Sequence, residues 1–87
     1  MATPLTMILS ADNRSLTITA PVKDSLHASR LADRLNSLPS LKVYDRSYND
    51  GLACIKSYTI KGLFNIETIE NDLENMSDLI NDNNESK

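Results

Sequence analysis

A chain of 87 residues with a formal net charge of −3 can form one small domain, because a chain of this length buries only about two-thirds of the surface that it exposes when unfolded. The single cysteine, Cys54, excludes an internal disulfide framework. The longest apolar run near the N-terminus, Met7 to Leu9, is too short for a signal peptide or a membrane span. We therefore expect a cytoplasmic protein with no membrane partner.

The first predicted element is a β-hairpin. Apolar residues recur at every second position on both sides of a polar break at residues 11–14, which indicates two antiparallel strands joined by a turn. A two- or four-residue loop would pair position 9 with 16 and position 7 with 18, and this register places all the alternating apolar residues on one face. These residues are Leu5, Met7, Leu9, Leu16, Ile18 and Ala20.

A helix is predicted after Pro21, which closes the second strand. Asp24 or Ser25 can cap this helix by accepting hydrogen bonds from backbone N–H groups. Pro39 ends the pattern, because proline cannot continue a helix. Between these limits the apolar residues recur at helical spacing: Val22, Leu26, Ala28, Leu31, Ala32, Leu35 and Leu38.

Two segments rich in β-branched and aromatic residues, 41–47 and 52–59, flank an Asn-Asp-Gly turn signal and predict a second hairpin of uncertain register. A three-residue loop with Gly51 in the left-handed region would align Tyr44 with Lys56. A two-residue Asp-Gly turn would shift the pairing by one residue. We favour the three-residue loop because it separates a mostly apolar face from a polar one. The apolar face would hold Leu41, Val43, Ala53 and Ile55, and the polar face would hold Lys42, Tyr44 and Arg46 opposite Cys54, Lys56 and Tyr58.

The last predicted element is a helix capped by Asn65, with Glu67 in the first turn, where a negative charge is favourable. Its apolar residues alternate between spacings of three and four over too few heptads for a coiled coil, which indicates a helix with one face packed on the sheet. Residues 82–87 contain nothing apolar, so we expect a disordered polar tail after a single domain spanning 1–81. The predicted stripe is Ile66, Ile69, Leu73, Met76 and Ile80.

These elements have the order ββαββα and predict an α+β fold. The economical arrangement is a four-stranded antiparallel sheet with two helices packed on one face. The other face of the sheet would then be left to solvent or to a partner.

No motif indicates an enzyme, a metal site or a cofactor. One histidine and one cysteine cannot form a transition-metal site, and the sequence contains no glycine-rich phosphate loop. His27 lies three residues after Asp24, and we interpret it as a surface histidine near the helix cap rather than as a general base. Cys54 is interpreted as a small packed thiol. We therefore expect a non-enzymatic protein that uses no cofactor.

The charge of the chain is divided along its length. Residues 1–62 carry eight basic and five acidic side chains, whereas residues 63–86 carry seven carboxylates and no lysine or arginine. An acidic surface repels nucleic acids and anionic membranes and attracts basic proteins. We therefore expect a protein partner with a basic surface. The predicted protein-binding residues are Glu67, Glu70, Glu74 and Asp78 on the last helix, with Tyr44 and Tyr58 on the sheet.

Two alternatives remain open. One is an RNA- or DNA-binding module, in which a basic stripe on the first helix contacts phosphates and the tyrosines of the second hairpin stack on bases. The other is a self-associating structural protein, whose homodimer joins the basic helix of one copy to the acidic helix of the other. The predicted nucleic-acid-binding residues are Lys23, Arg30, Arg34, Lys42, Arg46 and Lys56.

Our leading hypothesis is a small protein-binding module that acts as an inhibitor or an adaptor. Its size, acidity and lack of catalytic residues resemble, in style only, those of small phage proteins that bind and block host defence or nucleic-acid machinery. That resemblance assigns a role to no residue of this chain.

Overall fold

The computed structural model describes residues 5–60, 62 and 64–80. In chain order, its elements are β1 (Thr6–Leu9), β2 (Ser15–Pro21), α1 (Ser25–Asn36), β3 (Leu41–Asn49), β4 (Leu52–Thr59) and α2 (Ile66–Glu74). The four strands form one antiparallel sheet in the spatial order β1-β2-β4-β3. The predicted α+β fold and its ββαββα order are confirmed. The predicted tail, residues 82–87, lies outside the described residues.

The two central strands, β2 and β4, supply the buried face of the sheet. Every second side chain of β2 is buried, which is the pattern of a strand with one face against a core. Both helices pack on this face, and each fully buried leucine or isoleucine stabilises the fold by about 1.5–3 kcal/mol relative to an exposed one. The core includes Leu16, Ile18 and Ala20 of β2, Ala53 and Ile55 of β4, Leu31 and Leu35 of α1, and Ile69 and Leu73 of α2.

The first hairpin has the predicted register. Leu9 lies opposite Leu16, and the rest of the ladder follows from that pair. The loop has four residues, because the N–H of Ser10 still donates to the carbonyl of Ser15 at 2.9 Å. Asn13 has a φ of 60°, in the left-handed region that asparagine tolerates better than most residues. Turn chemistry and apolar alternation agree in this hairpin.

Both helices begin directly after a side chain that caps them. The carboxylate of Asp24 accepts a hydrogen bond from the N–H of His27 at 2.9 Å, and the amide oxygen of Asn65 accepts one from the N–H of Thr68 at 3.2 Å. Of the apolar residues predicted for the inward face, Leu26 is exposed and Leu38, which follows the end of α1, is half-buried, whereas the others are buried. Of the helices in the described residues, neither is long and apolar enough to cross a membrane.

The turn of the second hairpin has two residues, so the predicted three-residue loop is wrong. Asp50 and Gly51 have φ angles of 54° and 83°, and two successive positive φ angles define the type I′ turn, whose twist matches that of the flanking strands. Asn49 consequently lies opposite Leu52. Aspartate followed by glycine suits these angles, and this local preference sets the pairing near the turn.

A β-bulge restores the predicted register farther from the turn. Asp45 lies opposite Lys56, in the register of the two-residue turn, whereas Val43 lies opposite Ser57, in the register that the apolar pattern predicted. The extra residue between them is Tyr44. One inserted residue therefore lets β3 satisfy both the turn and the core.

The two-residue turn places two side chains of β3 on the helix side of the sheet. Residues that lie directly opposite each other share a face. Arg46 is opposite the buried Ile55, and Tyr48 is opposite the buried Ala53, so both side chains lie on the helix side. The predicted placement of Arg46 on the same face as Tyr44 is therefore wrong.

The chain continues to turn after α2 ends at Glu74, but it is wound more tightly, with fewer residues per turn. The N–H of Met76 donates to the carbonyl of Leu73 at 3.0 Å, and the N–H of Leu79 donates to the carbonyl of Met76 at 2.9 Å. Bonds between residues three apart give about 3.0 residues per turn instead of 3.6. This tighter winding brings Leu79, which the predicted stripe omitted, into the core and leaves Ile80 half-buried.

We expect Leu79→Ala to lower the free energy of unfolding by about 2–5 kcal/mol, because Leu79 is only 6% exposed and its truncation would leave a cavity in the core. Ile80→Ala is the matched control and should cost less, since its side chain is already half-exposed. Denaturant titrations of both variants measure the difference. A larger loss for Ile80→Ala would show that the segment after Glu74 keeps the roughly 3.6 residues per turn of an α-helix.

Candidate binding surfaces

One face of the sheet carries no helix in the part of the chain that the structure describes, and we call it the open face. Its side chains alternate with those of the core, and its cross-strand rows follow from the register. Most of these side chains are small or polar. From the β1 edge to the β3 edge, the rows are Thr6, Thr19, Cys54 and Ser47; Ile8, Thr17, Lys56 and Asp45; and Ser15, Tyr58 and Lys42.

Tyr44 and Tyr58 form an exposed aromatic pair on the open face. Their ring centroids lie 6.1 Å apart with the ring planes tilted by 33°, which is within the range of favourable aromatic contacts. The residues are 56% and 46% exposed, so a partner can reach both rings. Lys42 lies directly opposite Tyr58 and borders the pair with a positive charge. The structure thus brings together the two tyrosines that were predicted as binding residues.

The six cations predicted for nucleic-acid binding do not form one surface. Lys42 and Lys56 lie on the open face, and Lys56 is directly opposite Asp45. Arg46 lies on the helix side, where its Nη1 is 3.2 Å from Oδ1 of Asp33. The register of the two-residue turn therefore removes one predicted cation from the tyrosine face. The remaining three are Arg30 and Arg34 on α1 and Lys23 just before it.

An ion pair joins two charged groups that were predicted to serve different surfaces. Nη2 of Arg34 lies 3.3 Å from Oδ2 of Asp78, which links α1 to the segment after α2. Both side chains are substantially exposed, so the pair contributes only about 0–1 kcal/mol to stability. Its main effect is on recognition, because each charge is partly compensated by the other.

Glu67, Glu70 and Glu74 remain together, and we call these three residues the acidic surface. Their spacing of three and then four residues places them on one side of α2, away from the buried Ile69 and Leu73. All three are exposed, and none has an ion-pair partner among the described residues. The acidic surface is thus available to a basic partner.

His27 contacts the residue that caps its own helix. Its Nδ1 lies 2.7 Å from Oδ1 of Asp24. The hydrogen bonds from the His27 side chain and from its backbone N–H hold the pKa of the Asp24 carboxyl below its ordinary value. These contacts give the pair a role in fixing the first turn of α1. Across the described residues, no three His, Cys, Asp or Glu side chains are close enough together to hold a metal ion.

Two residues that were not predicted lie at the free edge of β3. Oδ1 of Asn36 accepts a hydrogen bond from the N–H of Val43 at 2.9 Å, so α1 closes part of this edge. Tyr48 is 38% exposed on the helix side of the same strand. The register of a two-residue turn predicts Tyr48 on the helix side, whereas the register of the favoured three-residue loop placed it on the other face.

Comparison of the chain with known protein families, with curated proteins and with solved structures finds no significant match. Its function must therefore be inferred from the surfaces described above.

We expect the Asp24 carboxyl to titrate below the ordinary aspartate value of about 3.9. Because the folded-state pKa is depressed, the hydrogen bonds stabilise the fold above the pKa of the unfolded chain, and this contribution is lost as the pH falls through the folded pKa. His27→Ala removes the side-chain bond but keeps the backbone N–H, so it should move the pKa part of the way back. An NMR titration of the carboxyl carbon measures both values, and the same pKa in both proteins would contradict the assigned cause.

Proposed function

We propose that this protein is a small non-enzymatic protein-binding module, an adaptor or an inhibitor, that contacts its partner through the open face. The observation that supports this proposal is the Tyr44–Tyr58 pair, which is exposed on a sheet face that no described helix covers. Tyrosine is enriched at interfaces because its rigid ring buries a large area at a small entropic cost and its hydroxyl forms hydrogen bonds. Ser15, which lies opposite Tyr58 on β2, is small and would let a partner approach that ring closely.

The acidic surface defines the charge of the proposed partner. It lies on α2, on the helix side of the sheet, whereas the tyrosine pair lies on the other side. Three exposed carboxylates attract a basic protein and speed its encounter, even where they make no direct contact in the final complex. An adaptor would use the two surfaces for two partners, and an inhibitor would need only one of them.

A nucleic-acid-binding role has less support. Among the predicted cations, Arg34 and Arg46 contact carboxylates, and Lys56 lies opposite Asp45. Lys42 is thus the cation that borders the tyrosine pair without a carboxylate directly opposite it. One phosphate contact releases few counterions, and counterion release supplies most of the free energy of non-specific nucleic-acid binding.

Tyr44→Ala combined with Tyr58→Ala should reduce capture of the partner by at least about tenfold, since a few aromatic residues carry most of the free energy of an interface. Tyr48→Ala is the matched control, because it removes the same side chain from the same strand but from the helix side. Quantitative mass spectrometry of proteins retained by each immobilised variant measures the loss, and titration with the purified partner converts it to an affinity.

Two outcomes would contradict the role of the open face. One is an equal loss of capture by the Tyr48→Ala control. The other is tight, salt-sensitive binding to mixed RNA and DNA oligonucleotides that weakens in Lys42→Ala, because this result would assign the tyrosines to base stacking.

Replacement of Glu67, Glu70 and Glu74 by glutamine should slow association with a basic partner by about tenfold at low salt and change the dissociation rate little. Folding should survive, because all three side chains are exposed. Asp50→Asn is the control for loss of charge elsewhere, since asparagine also suits the positive φ of the hairpin turn. Stopped-flow association over a salt series gives the rates, and an unchanged association rate for the triple variant would exclude the acidic surface from recognition.

A further inference from the structure

We infer that the free edge of β3 pairs with the same edge of a second copy of this chain, antiparallel and centred on Ser47. The two four-stranded sheets would then form one continuous sheet related by a two-fold axis. This surface is distinct from the open face and from the acidic surface, so the inference does not depend on the proposed function.

β3 is the longer of the two edge strands, with nine residues against four in β1. Within the described residues it pairs with β4 alone. In the half of the edge that precedes the bulge, the N–H of Val43 donates to the side chain of Asn36 on α1. The half that follows the bulge carries no such contact from the described residues, and unpaired backbone groups of an edge strand are a template for another strand.

Two residues beyond the bulge turn their backbone groups to the free edge. In a hairpin with a two-residue turn, the closing pair exchanges hydrogen bonds, and bonded and non-bonded pairs alternate from there. Here the closing pair is Asn49 and Leu52, so Arg46 and Tyr48 direct their N–H and C=O groups away from β4. With the extra residue at the bulge, the N–H of Val43 also points outward. This direction agrees with the hydrogen bond that the N–H of Val43 donates to Asn36 of α1.

Charge excludes most registers between two copies. A two-fold axis perpendicular to the sheet keeps the open faces of both copies on the same side. Residues that oppose each other must then point to the same face, so one residue of β3 lies at the axis, opposite the same residue of the other copy. An axis at Asp45 would place its carboxylate opposite that of the other copy, and an axis at Arg46 would place two guanidinium groups opposite each other. Like charges in these positions destabilise strand pairing. An axis at Tyr48 would place Arg46 opposite Asp50. Asp50 belongs to the turn, and its positive φ prevents it from pairing as a strand residue.

An axis at Ser47 avoids all of these conflicts. Arg46 of each copy then lies opposite Tyr48 of the other, on the helix side, where a guanidinium group can stack on the exposed ring. Asp45 lies opposite Asn49, so no like charges face each other. The outward N–H and C=O groups of Arg46 and Tyr48 all find partners in this register.

The predicted interface is short, and we expect it to bury less than the roughly 800 Å² per partner of a standard complex. We therefore expect a weak dimer with a dissociation constant of about 100 µM. Pairing would also join the two open faces into one surface that carries two Tyr44–Tyr58 pairs.

Sedimentation equilibrium of the full chain between about 10 µM and about 1 mM tests this inference. The wild-type mass should rise towards that of a dimer. Tyr48→Lys places a like charge opposite each Arg46 and should weaken association by at least about tenfold, whereas Tyr48→Glu should preserve or strengthen it. Tyr44→Lys is the matched control, because it makes the same change on the same strand but on the open face, and it should associate like the wild type.

A wild-type mass that stays monomeric over the whole range would overturn the inference. Equal weakening by Tyr44→Lys would also overturn it, since the contact would then lie on the open face. Ser47→Lys provides a second variant at an exposed position, placing two ammonium groups at the axis. A dimer that survives this substitution is not centred on Ser47, and circular dichroism melting establishes that each variant is folded.

Discussion

A one-residue conflict between the turn and the core of the second hairpin is the constraint on which the rest of the structure depends. At one end, Asp50 and Gly51 adopt the positive φ angles of a two-residue turn. At the other end, Leu41 is fully buried and requires the register shifted by one. Because side chains alternate with a period of two, a continuous ladder would send the apolar residues of one end to the wrong face. The bulge at Tyr44 absorbs the extra residue and satisfies both ends.

The same bulge determines the chemistry of the two faces. It leaves Tyr44 beside Tyr58 on the open face, while the register set by the turn keeps Arg46 on the helix side, where it contacts Asp33. The predicted three-residue-loop register would have displayed Lys42, Tyr44 and Arg46 on this face, an alternation of cations and rings that is typical of sheets that bind single-stranded nucleic acid. The observed face instead presents an aromatic pair bordered by Lys42, and Arg46 lies on the other side of the sheet. The placement of Arg46 and Tyr48 on the helix side also determines which charges face each other when the free edge of β3 pairs with a second copy.

The parts of the fold that could be predicted are those in which independent signals agree. In the first hairpin, turn and apolar alternation specify the same register. In the second hairpin they differ by one residue, and a bulge that satisfies both leaves no trace in the hydrophobic period. Leu79 was not predicted because the chain after α2 has about three residues per turn, whereas the predicted stripe assumes the spacing of an α-helix. The tyrosine pair could be predicted from the strand pattern, but the contact between Arg34 and Asp78 joins residues 44 positions apart and depends on how the helices pack.

The bulge is tested most directly by nuclear Overhauser contacts between Hα protons across β3 and β4. In antiparallel strands, the shortest Hα–Hα distances join opposing residues that do not exchange hydrogen bonds. A bulge at Tyr44 predicts two contacts that no continuous ladder can produce together, Arg46 with Ile55 and Val43 with Ser57. A contact of Ser57 with Tyr44 in place of Val43 would mean that the turn register continues along the whole strand. That result would contradict the bulge and the division of side chains between the two faces.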